Sequence, residues 1–503
     1  MTNAPHTAIR VAAGDLRARA REIAVEHGFV ADIPPDARAE AARLDHSDGR
    51  IGADGDAHGD VEDLRSLLWS SIDNRDTRDL DQVEVCEPLG HGATRLRLGI
   101  ADVDHLVAKG SAIDRHAAAN TTSLYTGVET FPMLPEELST DRTSLMEGAE
   151  RLVVVVDLVV DAAGDVDETR AYRALIVNRA KLAYDPVGNW LGGAAPIPEE
   201  FAAIPGLEEQ VRLQDDVAQR LRTRRHERGA LDLETIEARP VTSGGQVVDL
   251  EVTRKGRARE LIEDFMIAAN SAMARFLESR HVPSIRRVVR APKRWPRIVE
   301  LARRYGDALP DEPSSTALAD FLRRRRTASA DSFADVSLSV VKLLGAGEYA
   351  VERPWEPDGD EGHFGLAVED YSHTTAPNRR YADLVMQRLV KSSLDGRTTP
   401  YPAAELETIA RRCTLMENAA RAVERAMRKV VAATLMAHRI GETFEGIVTG
   451  VNRNGTFARL MNPPVEGRVV RGEQGMDVGD RVRLTLVEVD VAKAYIDLAR
   501  SGF

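Results

Sequence analysis

The sequence predicts an α+β fold, a mixed or antiparallel sheet flanked by helices and closed by a small C-terminal OB-type β-barrel. Three observations predict it. Short apolar stretches alternate with turn signals to about residue 190, among them Gln82–Cys86, Thr94–Ile100 and Arg151–Val160. Long segments with helical apolar spacing follow, and the last 60 or so residues break into five short strand patterns.

Each element has a local reason. Residues Leu16 to His27 carry an amphipathic pattern, and an Ala/Arg/Glu segment from Asp36 to Leu44 favours a second helix. The stretch 45–60 is dominated by Gly, Asp and His and reads as a linker; His46 and His58 lack any metal-ligand spacing. Leu152 through Val160, rich in valine and broken only by Asp157, reads as a buried strand. Helices are expected over Leu207–Glu227, Ala258–Arg280, Pro377–Ser393 and Pro402–His438. In the second, Leu261, Phe265, Ile267, Ala268, Ala272 and Phe276 mark the buried face. The five terminal strands are Glu445–Val451, Gly455–Leu460, Val465–Val470, Arg481–Val489 and Ala494–Leu498.

The chain has 503 residues, enough for about three domains, and 43% of them are hydrophobic. It has no apolar run long enough to span a bilayer and no secretory leader pattern. Two cysteines, Cys86 and Cys413, supply neither a disulfide framework nor a thiolate zinc site, so a reducing cytoplasm is the expected setting. The net charge of −13 argues against a protein that coats polyanions, although local basic patches still permit nucleic-acid binding. Two runs are candidates. Arg286, Arg287, Arg290, Lys293, Arg294 and Arg297 are read either as a solvated surface or as a nucleic-acid channel. Arg323 to Arg326 read as a solvated helix face.

Two constellations carry chemistry. Ser71 to Gln82 packs Asp73, Asp76, Asp79 and Asp81 together; in a strand beginning by Asp79, Asp79 and Asp81 share a face and Leu80 points to the core. Carboxylates so close repel unless a cation neutralises them, and hard oxygen donors suit Mg²⁺ or Mn²⁺. An exposed Asp-rich turn is the competing reading. The second constellation is His363-Phe-Gly-Leu followed by Tyr371 to Asp383. Pro377 suits a first helical turn, which sets Arg379 and Arg380 near a helix N-terminus. Cations there oppose the helix dipole but grip a phosphate well, and pairing with Asp383 is the structural alternative.

These residues, in this order, resemble the ribonuclease II / ribonuclease R family, whose catalytic module is the RNB domain. The resemblance runs over about residues 61–503: SIDNRDTRDLDQ at 71–82, IADVDHLVAKGSAIDR at 100–115, YTGVETFPMLPEELSTDRTSL at 125–145, NRAKLAYDPV at 178–187, HERGALDLETIEARP at 226–240, LIEDFMIAANSAMARFL at 261–277 and HFGLAVEDYSHTTAPNRRYADLVMQRL at 363–389. It implies processive 3′→5′ hydrolysis of single-stranded RNA to nucleoside 5′-monophosphates with Mg²⁺, Mn²⁺ being a possible substitute. On the family pattern Asp73, Asp79 and Asp81 fall on metal-site aspartates, and Tyr125 on the aromatic residue that stacks near the 3′-terminal nucleotide. Arg379 falls on the phosphate-contacting arginine and Glu424 on the acid that positions the terminal nucleotide. Arg380 and Arg421 are further candidates for the RNA. The implied organisation is a helical region and linker at 1–60, an RNB domain at 61–438 and an S1-like OB domain at 439–503, acting as a monomer on RNA and not at a membrane.

Three departures matter. The family ends its acidic cluster with two aspartates, whereas this chain has Gln82 in the second place, so a catalytically silent RNA-binding protein is the alternative. Asp76 is a candidate to compensate. Ala376 and Asn378 replace the serine and isoleucine common around the proline of the arginine motif. The first 60 residues are too few for the two cold-shock barrels that usually precede the RNB domain.

Overall fold

The computed structural model describes residues 13–44, 61–234, 237–243, 246–253, 256–328, 330–356, 362–452 and 455–502. The Gly/Asp/His stretch with His46 and His58 lies outside them. The strands in the first half are β1 (Val61–Asp63), β2 (Trp69–Asp73), β3 (Gln82–Gly90), β4 (Ala93–Ala101), the two-residue β5 (Leu124–Tyr125) and β6 (Thr130–Phe131), β7 (Glu150–Val160) and β8 (Val166–Ala183). Six form one mixed sheet in the order β1-β8-β2-β3-β4-β7, and β8 also pairs with β7, so the sheet curls onto itself. β8 runs parallel to β1 and β2 and antiparallel to β7. This closure explains the valine run: Val153 to Leu158 are buried on both faces of β7, so no polar alternation is needed.

Helices Leu207–Glu227 and Arg257–Ser279 cover the sheet with Val211, Leu221, Leu261, Phe265 and Phe276. The expected helix at Pro377–Ser393 starts four residues later, at Tyr381, and ends at Leu394. Pro377 stands in a turn, because the Ala376 amide donates to the Asp383 carboxylate and the Asn378 amide donates to Asp81. Both donors are taken by side chains before a helical ladder forms. The 34-residue helix Ala403–Met436 links the two parts of the molecule. Its middle, Met416 to Val430, packs on the N-terminal helix Ala13–Glu26 and on Leu124 and Phe131 of the β5/β6 hairpin.

A hairpin of β9 (Glu237–Ser243) and β10 (Gln246–Thr253) and a pair of β11 (Ser284–Val288) and β12 (Glu348–Glu352) complete the first part. The end of the chain is a closed five-stranded barrel. Its strands are β13 (Thr443–Asn452), β14 (Gly455–Leu460), β15 (Glu466–Arg471), β16 (Arg481–Asp490) and β17 (Tyr495–Arg500), ordered β13-β14-β15-β17-β16. Leu460, Leu484, Leu486 and Leu498 fill it, and Val431, Ala433 and Met436 of the long helix join the same core. The barrel is thus seated on the helix that runs back toward the β5/β6 hairpin. Among the described residues no helix is long and apolar enough to cross a membrane.

Candidate active site

The acidic segment is a loop between β2 and β3. The strand begins at Gln82 rather than by Asp79, because its ladder with β4 starts at Gln82 opposite Ile100, and β2 pairs with it only at Ser70 and Glu84. The loop is nonetheless pinned. The Leu80 amide donates to the Ser144 hydroxyl, the Leu80 carbonyl accepts from the Leu145 amide, and the Asp81 carbonyl accepts from the Ala101 amide. Leu80 enters the main core, as the alternation predicts, and its two flanking aspartates turn to other partners.

Asp81 is 2% exposed; it accepts from the Asn378 amide at 2.9 Å and from Arg379 Nε at 3.3 Å. Burial pushes its acid up to about 7 against the pull of Arg379, and Asp79 and Asp383 push the same way. Asp79 accepts from the Tyr125 hydroxyl at 2.8 Å. That ring is 40% exposed while its hydroxyl is turned inward, and burial followed by the Asp79 charge moves the phenol upward. Asp73 closes the loop from the other side, accepting from the Asn74 amide at 2.6 Å and the Thr77 hydroxyl at 2.9 Å. Asp76 is exposed on the turn, and Gln82 is buried at the head of β3.

The two consecutive arginines have different partners. Arg380 is bound to the fully buried Asp383 at 2.7 Å. Arg379 leans on Asp81 and keeps its side chain 46% exposed, with its carbonyl fixed by the Ser123 amide. The pairing with Asp383 that the spacing permits for Arg379 therefore belongs to Arg380. Behind them stands a chain of rings: His363 against Tyr371 at 5.4 Å, Tyr371 against His373 at 5.7 Å, and the Tyr349 hydroxyl 2.9 Å from His373 Nδ1. Burial, then Arg380 and Arg287, hold His373 well below the usual imidazole range, so this ring is a neutral support.

The structure thus forms two contact pairs, Tyr125 with Asp79 and Arg379 with Asp81, within electrostatic reach of one another. Arg421 is tied to Glu417 at 2.5 Å, and Glu417 also holds Arg287 at 2.8 Å. Glu424 sits next to Val423, which packs with Leu124, the neighbour of Tyr125. The basic run at 286–297 divides. Arg286 and Arg287 are buried in β11 and paired with Glu278, Asp370 and Glu417, which removes them from any channel lining. Lys293, Arg294 and Arg297 are exposed. Arg323 to Arg326 lie on the helix Ser315–Ala328, with Arg323, Arg324 and Arg326 paired to Asp320, Asp307 and Asp232 and Arg325 over the Tyr305 ring.

Two residues went unremarked in the sequence. Tyr184, at the end of β8, is within electrostatic reach of Asp73, Glu84 and Arg379, and Arg259 stacks on it at 4.3 Å while donating to Asn74. Glu84, on β3, has no solvent exposure. The signals were an aromatic residue just past a strand and a lone acid among the apolar residues of another.

A divalent cation is the group this donor set suits. The carboxylates are hard oxygen donors, and buried Asp81 has too little neighbouring positive charge to stay ionised comfortably. Among the described residues no three acid, His or Cys side chains converge on one point, because Asp73, Asp79 and Asp81 are each turned to a protein donor. Holding a cation requires those side chains to swing inward by rotation.

Comparison with known proteins identifies the two domains that carry this site and the barrel. The RNB domain model matches residues 61–396, and the RNase II-type exonuclease C-terminal S1 domain matches 442–501. Ribonuclease R of Escherichia coli is 29% identical over 474 residues, covering 87% of this chain and 57% of that protein. Ribonuclease R of Thermotoga maritima is 31% identical over 418 residues, covering 81% and 57%. Ribonuclease R 1 of Lactococcus lactis is 30% identical, covering 81% and 49%, so the chain spans about half the length of the curated relatives it matches. The structure of Mycoplasma genitalium RNase R in complex with ribose methylated single-stranded RNA superposes with a TM-score of 0.84 at 23% identity, over 97% of this chain and 78% of that one. Yeast Ssd1, described as a pseudonuclease, superposes with a TM-score of 0.71 at 16% identity, over 98% and 62%. With an RNB domain over two thirds of its length and an S1 barrel behind it, the chain belongs to the RNB family of ribonuclease R and ribonuclease II-type proteins.

Proposed function

We propose that the protein is a divalent-metal-assisted 3′→5′ exoribonuclease that hydrolyses single-stranded RNA to nucleoside 5′-monophosphates. In this reading residues 61–438 form the catalytic unit and 439–503 the barrel that holds the strand upstream. The single observation that carries it is the contact set Tyr125–Asp79 and Asp81–Arg379, which places an aromatic face, paired carboxylates and a half-exposed guanidinium around one loop.

Each side chain has a task that its environment suits. The exposed face of Tyr125 stacks a terminal base, and its hydroxyl, held by Asp79, fixes the ring. Arg379 presents its free guanidinium edge to the phosphate beside Asp81, with Arg380 and Asp383 holding the backbone that carries it. Asp73, Asp79 and Asp81 are the residues that hold Mg²⁺, or Mn²⁺ in its place. When bound, the cation supplies an activated water and stabilises charge on the leaving oxygen. Glu424 and Arg421 border the terminal nucleotide from the long helix, and the buried Gln82 orients water or a neighbouring carboxylate without acting as a base.

The second reading is a clamp that binds RNA without cutting it; the neutral Gln82 favours it. A 5′-labelled single-stranded RNA incubated with Mg²⁺, Mn²⁺ or EDTA separates the two. Shortening from the 3′ end that needs the metal supports the nuclease, and tight binding without shortening supports the clamp.

A further inference from the structure

Glu84 is a buried acid that this mechanism leaves idle. It lies on β3, two residues beyond Gln82 on the same face of the strand, with no solvent exposure. Neither carboxylate oxygen has a hydrogen-bond partner. A buried acid with both oxygens unmatched is rare, because it must surrender its hydration without replacement. Among the described residues no positive side chain is paired with it. Polar groups around it include the Gln214 amide, whose Nε2 donates to the Ser70 hydroxyl and the Glu84 carbonyl, and the Ile72 backbone amide, which draws on the carboxylate.

Ile72 immediately precedes Asp73, and the pairing of β2 with β3 is confined to Ser70 and Glu84, short of the Asp73 end. Asp73 and the Tyr184 phenol are both within electrostatic reach of the Glu84 carboxylate. An uncompensated carboxylate, near the end of a strand that carries another, is a ligand awaiting a cation.

We propose that Glu84 is a further ligand for the divalent cation held at the Asp73 end of the acidic loop, supplying from two residues along the strand the carboxylate that Gln82 lacks. This rests on the metal-assisted reading above and extends it. It assigns the departure at Gln82 a compensation inside the protein, from a buried acid rather than from the exposed Asp76.

The test is Mn²⁺ binding to the full chain, followed by calorimetry and by the Mn²⁺ electron-spin signal, without RNA. Glu84→Gln should weaken binding by about tenfold or more, and the double variant Gln82→Asp/Glu84→Leu should recover it to within about threefold. Thermal melts in EDTA establish that each variant is folded. Should Glu84→Gln fail to fold, Gln82→Asp alone decides: a change in Mn²⁺ affinity under about threefold fits a place already filled, and a gain of about tenfold overturns the proposal. Wild-type Mn²⁺ affinity in Glu84→Gln overturns it, as does a wild-type chain that binds no Mn²⁺. Metal-dependent RNA shortening that survives in Glu84→Leu overturns this proposal and leaves the nuclease reading intact. Glu84-dependent Mn²⁺ binding in a chain that shortens no RNA does the reverse.

Discussion

Replacing Asp81 by Asn tests the metal reading through stability as well as rate. In the folded chain the Asp81 acid is pushed from 3.8 up to about 7, first by burial and then by Asp79 and Asp383 against Arg379. A raised carboxylate acid is a cost: above pH 7 the group is ionised in both states, and the folded state bears the full penalty. As the pH falls from 7 toward 4 the folded state takes up the proton first, so the penalty fades. Three units at about 1.4 kcal/mol each make it about 4 kcal/mol in the metal-free protein. The Asn oxygen can still accept from the Asn378 amide, and the attraction of Arg379 is already contained in that net penalty. Asp81→Asn should therefore stabilise the protein by up to about 4 kcal/mol at pH 8 in EDTA and by almost nothing near pH 4. Hydrolysis should fall by at least about 100-fold, with RNA affinity changed less than about threefold. The assays are thermal melts at the two pH values, labelled-RNA turnover, and RNA titration by anisotropy. A variant that melts lower than wild type at pH 8 refutes the argument, because Asp81 would then be a satisfied structural acid. Equal losses of binding and turnover refute its assigned role.

Three further outcomes follow from the contacts. Arg379→Ala should cut turnover by about 100-fold with little change in melting, whereas Arg380→Ala strands Asp383 in the core and should destabilise by about 3–5 kcal/mol; the reverse pattern in melts and rates would exchange the two roles. Tyr125→Ala should weaken binding of an RNA 3′ end by about tenfold while Tyr125→Phe retains most of it, a comparison made by anisotropy, and equal loss in both would assign the tyrosine to its Asp79 contact rather than to stacking. His363 is held down to about 4 by burial and then by Arg287, and its Nδ1 accepts from the Leu366 amide as a neutral ring must. The unfolded chain protonates it near 6.5, so folding stability should decline by up to about 3 kcal/mol as the pH falls from 6.5 to 4. His363→Gln should flatten that decline in denaturation curves at pH 5 and 7.5, and an unchanged slope would locate the acid sensitivity elsewhere.

The sequence makes the secondary structure easy to read wherever burial and local pattern agree. Leu207–Glu227 carries its own periodicity between a glycine and a turn, and the barrel strands are marked off by turn residues. The valine run is legible as a strand, but its sealing on both faces depends on β8 pairing with both β2 and β7, which no local pattern encodes. The same division runs through the site. Asp79, Asp81, Tyr125 and Arg379 are identifiable from motif order, yet the bond from Arg379 to Asp81 crosses 298 positions of sequence. Arg286 and Arg287 look like surface charge because their partners Glu278, Asp370 and Glu417 arrive from other segments. Glu84 is hidden for the opposite reason: one acid among apolar strand neighbours carries no local sign of its burial, which comes from the tertiary packing of the sheet.

Two adjacent arginines with different exposures also bear on how a chain with a net charge of −13 would hold an anion on the proposed reading. Among the described residues many cations are paired with acids, and helix Tyr381–Leu394 shows the pattern: Arg388 binds Asp104, Asp114 and Tyr401, while Lys391 binds Asp102 and Asp104. These buried pairs fasten the helix to the end of β4 and leave its first residues no freedom to drift. Just ahead of that anchored end, Arg380 is spent on Asp383 and Arg379 is left half open beside a buried acid. A phosphate arriving there meets a guanidinium whose backbone is already fixed, so little side-chain entropy remains to be lost on binding. On the proposed reading, an acidic total is no obstacle to phosphate binding, because the field at this guanidinium is set by its own neighbours rather than by the net charge.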